Sequence, residues 1–273
     1  KPSTTSTAID YNAVSIPQIN ADSAYRYVAD QLAFGFRTPN SEAQKKCANY
    51  LVGQLQKWCD TVIVQEFPAQ LWDGTKVRGK NIIASINPQC ENRIVLSSHW
   101  DSRPFADHDP NAANVDKPID GANDGASGVG VIIEIMRQLQ KQHPSIGVDV
   151  VLFDLEDYGP KENENVNGDW WGLGAQYWAK HPHTENYTAM YGILLDMVGS
   201  ANAKFYQEYF STRDAQPIVA KIWSSAYQLG HGNYFINQPG GTITDDHYYV
   251  NRYANFKMID IIHYDNYSGT GFD

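Results

Sequence analysis

Apolar positions along this chain follow two periods in turn. After a polar start, two segments read as helices. The second begins at Ser41, with Gln44 three residues on as in a capping box, and runs to about Trp58. Ala43, Cys47, Leu51 and Leu55 fall on one stripe of it. Short β-rich runs follow at 61–67, 81–86 and 94–98. A further helix is predicted over 127–142, carrying Val131, Ile132, Ile135 and Met136. The runs 148–155 and 193–197 are almost continuously apolar, as central strands covered on both faces must be. A helix over 217–229 stops at Gly230, and 257–262 reads as one more buried strand. Helices alternate with apolar strands, and no repeat or low-complexity linker divides them. The pattern predicts an α/β protein: one domain over 1–273, a three-layer α/β/α sandwich around a mixed, mostly parallel sheet, with 1–20 an extended arm.

Composition adds exclusions. With 42% hydrophobic residues a sizeable core can form. The formal charge of −10 disfavours nucleic acid and anionic membrane as partners, since both are repelled by a net negative field. No stretch approaches the roughly 20 apolar residues a membrane-spanning helix needs. The first residue is Lys1 rather than Met, which suggests a trimmed or processed chain. Cys47, Cys59 and Cys90 have no zinc-knuckle spacing and allow at most one internal bridge.

The polar residues sharpen the picture. Ligands of open α/β sheets bind beyond the carboxyl ends of the strands. The run 94–98 leads into His99 and Asp101; the next loop reads Gly121-Ala122-Asn123-Asp124-Gly125-Ala126-Ser127-Gly128. The run 148–155 leads into Glu156 and Asp157, and 193–195 into Asp196. Asp245, Asp246 and His247 come later, and the last strand carries Asp260 and His263. One acid at a strand end is commonly a helix cap or turn former. Their recurrence at successive ends instead describes a crevice with too much negative charge to leave uncompensated. A divalent cation answers that, and mixed carboxylate and imidazole donors favour zinc over calcium or magnesium.

His99-Trp100-Asp101-Ser102, the Gly121–Gly128 loop, Phe153-Asp154-Leu155-Glu156-Asp157 and Leu194-Leu195-Asp196-Met197-Val198-Gly199 resemble the ordered motifs of M28-type zinc aminopeptidases. Animal-type glutaminyl cyclases share that fold. The resemblance runs from about Asn81 to Ile262, and it is read here as one to the bacterial branch of those cyclases. It implies one zinc ion, where the aminopeptidases hold two. It further implies Asp124 and Asp157 as ligands, Glu156 as general acid/base, and Asp196 and Asp245 as the carboxylates completing a proton network. Two departures stand out: the family's second acid is usually Glu rather than Asp157, and Asp260 stands where animal cyclases carry a histidine. The family's late zinc histidine has no counterpart up to Asp273, so the third ligand is expected in a C-terminal segment beyond it. His99 and His263 are the substitutes at hand.

The implied reaction closes N-terminal glutaminyl, and weakly glutamyl, peptides to pyroglutamyl peptides. Trp100, Trp170 and Trp171 are candidates for a narrow aromatic pocket, although core or loop packing accounts for any of them singly. The polar segment 159–169 reads as a substrate-facing insertion or a solvated loop. Asp246 reads as a helix cap, His181-Pro182-His183 is too compact for a metal site, and Asn186 and Asn266 begin glycosylation sequons of a commonplace kind. The alternatives are a two-zinc M28 aminopeptidase and a binding protein of the same fold without a metal. The family resemblance further suggests a monomer in the periplasm or secreted, after removal of a leader.

Overall fold

The computed structural model describes residues 15–161, 164 and 166–264. Its main sheet has six strands: β1 (Thr61–Gln70), β2 (Lys76–Ile86), β3 (Arg93–His99), β4 (Gly147–Phe153), β5 (Tyr191–Asp196) and β8 (Met258–Ile262). They lie in the order β1-β2-β4-β3-β5-β8. β1 and β2 form an antiparallel hairpin, and β2 is antiparallel to β4. The pairs β4/β3, β3/β5 and β5/β8 are parallel. A small pair, β6 (Phe205–Gln207) and β7 (Phe235–Pro239), stands apart.

Alternation along the strands divides the core in two. Ile82, Ala84, Ile86, Leu96, Val148, Val150, Leu152, Ile259 and Ile261 face one side. There they meet α2 (Glu42–Trp58), α3 (Ala126–Lys141) and α5 (Tyr209–Gln228) through Leu51, Leu55, Val129, Ile132, Val219 and Trp223. Ile83, Val95, Val151, Phe153, Leu194 and Met258 face the other, against Ala175 and Trp178 of α4 (Leu173–Lys180) and Tyr249 and Val250 of α6 (Asp246–Tyr253). This is the three-layer arrangement expected of buried parallel strands. The remaining helix, α1 (Ala21–Leu32), packs along α3.

Several local expectations are met. Ser41 caps α2, its hydroxyl accepting from the Gln44 N–H at 2.9 Å. Gly230 follows α5 with φ of +85°, the left-handed turn a glycine adopts without strain. Other bounds move. α5 begins at Tyr209, eight residues before the expected start, because two helical pieces meet at Ala215 (φ −143°) and Pro217 sits just past that kink. β2 reaches back to Lys76, since pairing with β1 recruits a polar stretch that no apolar pattern marks. Of the expected arm, residues 1–14 lie outside the described part, as does Asn266.

Candidate active site

β3 has β4 on one side and β5 on the other, so the chain connections reverse direction across β3 and a crevice opens at the carboxyl ends of these strands. Short, tightly held turns deliver the acids to it. β4 ends at Phe153, and Leu155 (φ +59°) turns the chain sharply into Glu156 and Asp157. β5 ends at Asp196 and turns at Met197 (φ +45°). Left-handed geometry costs such residues about 1–2 kcal/mol each. Buried hydrogen bonds hold both: the Leu155 N–H donates to Asp154 Oδ1, and the Met197 N–H to Asp196 Oδ1.

The loop before α3 is fixed by lack of space. A Cβ on Gly125 would stand 2.6 Å from the Asp101 carbonyl oxygen and 3.0 Å from the His99 ring. On Gly128 it would stand 2.1 Å from the Leu195 carbonyl oxygen. Glycine at both lets α3 lie against β5 with Asp124 beside His99.

His99 is the hub. Its Nε2 lies 2.9 Å from Asp124 Oδ1 and 3.2 Å from Asp196 Oδ1, and its Nδ1 faces Asp101 Oδ1 at 3.4 Å. Burial opposes a charge on the ring, but the Asp101, Asp124 and Asp196 carboxylates outweigh it and hold the imidazole well above its ordinary pKa. Burial also raises Asp196, to about 7, against the pull of His99. Glu156 is pushed well above the carboxylate range by burial, with Asp245, Asp157 and Asp246 adding to it against His99. Asp157 is raised by burial and by Asp124. One of its oxygens lies 3.3 Å from Arg103 Nη1; the other, Oδ2, is buried without a hydrogen-bond partner.

Asp124, Glu156, Asp157, Asp196 and Asp245 line one cavity of about 360 Å³, whose walls include Trp171, Tyr249, Ile243 and Thr244. Trp171 lies flat against Gly159 with the Arg103 guanidinium 4.9 Å from its ring centre. Trp170 is half-buried on its own loop, its indole N–H bonded to the Asn167 carbonyl. Trp100 is a correction: it is wholly buried in the core, its N–H on the Lys80 carbonyl, and offers no surface to a substrate. It points away because it follows His99 along the chain and takes the opposite side.

Asp245 caps α6, the role expected of its neighbour Asp246. Behind it lie Asp260 and His247, both fully buried, with donor atoms of all three within 4.8 Å of one another. His263 joins neither of the clusters of metal-ligating side chains found among the described residues. Sequence reading missed Arg103 and Glu208. Glu208 receives His247 Nε2 at 3.0 Å, a pairing 39 residues apart in the chain. A charge inside Phe205-Tyr206-Gln207-Glu208-Tyr209-Phe210 was the one signal for it.

The donor set suits a divalent cation. A histidine nitrogen with two carboxylate oxygens, all mutually within 4.8 Å, is borderline-soft chemistry, and the bare Asp157 Oδ2 is the kind of buried oxygen a cation satisfies. Among the described residues, no helix is long and apolar enough to cross a membrane.

The fold and this site define a class, and the comparisons give it a name. The family model of peptidase family M28 matches residues 81–270, and the chain belongs to that family. Among solved structures, a Zn-dependent exopeptidase from Parabacteroides distasonis is 52% identical with a TM-score of 0.92, covering 95% of this chain and 89% of that one. The glutaminyl cyclase of Tannerella forsythia is 50% identical with a TM-score of 0.90, covering 94% and 88%. A glutaminyl-peptide cyclotransferase of Drosophila melanogaster is 28% identical over 155 residues, 51% of this chain and 39% of that protein. The chain spans about half or less of the curated cyclotransferases it matches. The likeness to bacterial glutaminyl cyclases read from the motifs is thus borne out, as is the fold.

Proposed function

We propose that this protein is a zinc-dependent glutaminyl-peptide cyclotransferase, converting N-terminal glutaminyl peptides to pyroglutamyl peptides and ammonia. The observation that carries it is the burial of Glu156 in one small cavity with Asp124, Asp157, Asp196, Asp245 and Trp171. The likeness to glutaminyl cyclases over most of the chain supports it.

Asp124 and Asp157 would hold a single zinc, with His99 the nearest imidazole, beside Asp124. When bound, the ion supplies a Lewis acid for the γ-carbonyl oxygen. In the reaction the substrate's α-amine attacks its own γ-carbonyl carbon, and the bond to the amide nitrogen breaks. Glu156 takes the proton from the amine and gives it to the departing nitrogen, which leaves as ammonia. A carboxyl raised well above its ordinary pKa suits that shuttle. Asp196 and Asp245 hold the proton network, Asp260 supports Asp245, and the flat face of Trp171 restricts the glutamine side chain to bent rotamers.

A two-zinc aminopeptidase is the second reading, favoured by His99 and Asp196 flanking Asp124. Counting zinc per chain while assaying a glutaminyl and a leucyl substrate separates the two. Peptides with an N-terminal glutamine suit an enzyme exported to the periplasm or beyond.

A further inference from the structure

Behind the pocket lies a group of buried side chains that the reaction as described does not use. Glu208 caps α5, and its carboxylate receives four donors from three elements. Oε1 accepts from the N–H of Phe210 at 2.8 Å and of Ile243 at 3.4 Å. Oε2 accepts from the N–H of Ser211 at 2.6 Å and from His247 Nε2 at 3.0 Å. Ile243 belongs to the pocket wall two residues before Asp245, and His247 lies two residues after it. Both oxygens of Glu208 therefore grip the segment that presents Asp245.

The contacts continue inward. With Nε2 committed to Glu208, His247 turns Nδ1 toward Asp260 Oδ2, 3.7 Å away. Both Asp260 carboxylate oxygens are buried without a hydrogen-bond partner, as is Asp245 Oδ2. The Asp260 N–H is itself held by Ser211 Oγ at 2.9 Å. Donor atoms of Asp245, His247 and Asp260 all lie within 4.8 Å of one another, so the three side chains form one buried group.

We infer that Glu208 and His247 are positioning residues: Glu208 fixes the His247 ring, which with Ser211 holds Asp260 against Asp245 and so aims the Asp245 carboxyl into the pocket. The inference rests on the proposed reading of the pocket. A carboxylate that orients a histidine, which in turn orients a working acid, resembles the outer shell of many catalytic centres.

A simple helix cap is the competing role, and Glu208→Asp separates the two. Aspartate caps a helix well but is one methylene short of His247. Expected is a kcat lower by about tenfold with KM close to wild type, together with a lower melting temperature as buried His247 loses its partner. His247→Leu lowers kcat at least as far, and His247→Asn, whose amide nitrogen falls near the position of Nδ1, recovers part of the loss. Wild-type kcat in both Glu208→Asp and His247→Leu overturns the inference, as does a rise in KM at unchanged kcat. Each variant is compared with wild type on whichever substrate wild type turns over, glutaminyl or leucyl. A wild-type protein that releases no ammonia therefore overturns the reading of the reaction without deciding the role of Glu208.

Discussion

The Asp101 carboxylate accepts the backbone N–H of Glu156 at 3.1 Å, and its second oxygen accepts that of Asp157 at the same distance. A fully buried acid on the loop after β3 thus pins the turn after β4, and the same carboxylate faces His99. Strand adjacency alone would bring the loops near; this contact sets the direction of the two acids.

Asp101→Asn tests that. The amide keeps one acceptor and leaves a buried N–H unpaired, costing about 1–3 kcal/mol. Denaturant unfolding measures that loss, and kcat is expected to fall about 10–100-fold as the acids lose their aim. A stable variant with wild-type kcat contradicts it.

The two tryptophans part company. Trp171→Ala removes a pocket wall, so KM rises by up to roughly tenfold, and it loses the Arg103 cation–π contact, which lowers stability by about 0.5–2 kcal/mol. Trp100→Ala opens the core and lowers stability by about 3–5 kcal/mol. Steady-state kinetics and thermal melts on both variants check the contrast; a large KM effect from Trp100 alone reverses it.

The metal-free protein should be less stable as pH rises from 5 to 8. Asp196 titrates at 3.8 when unperturbed and is raised to about 7, chiefly by burial; Glu156 and Asp260 are raised well above their ordinary values, also by burial. A group whose folded pKa is raised binds more protons folded than unfolded across that interval. Its stability is complete below the unfolded pKa and is lost as pH passes the folded one. His99, raised by its carboxylates against burial, acts in the same direction. The loss is on the order of a few kcal/mol. Zinc should reverse the trend, because its ligands bind deprotonated. Melting temperatures of chelated and zinc-loaded protein across pH check both; a chelated melting temperature that climbs with pH contradicts the burial account.

Much of this was legible beforehand, and the reasons are physical. β4, Gly-Val-Asp-Val-Val-Leu-Phe, is buried along its whole length and shows as an apolar run. Asp124, Glu156, Asp157 and Asp196 could be found because each stands immediately after or before an element with a strong apolar period. Trp100, for which the sequence left core packing open beside a pocket role, packs in the core because the residue beside a site residue on an extended strand takes the opposite side. Glu208 and Arg103 were invisible because the partners that tie them to the site, His247 and Asp157, lie 39 and 54 residues away, with no periodic pattern marking them. α4 was missed because its eight residues follow Gly172, a left-handed turn rather than a side-chain cap.

The most direct test is ammonia release from a glutaminyl amide, measured with zinc per chain on the zinc-loaded protein, the chelated protein and Glu156→Gln. The account predicts ammonia with one zinc per chain, abolished by chelation and by Glu156→Gln, and no release of amine from a leucyl nitroanilide. Nitroaniline release with two zinc ions and no ammonia would contradict it.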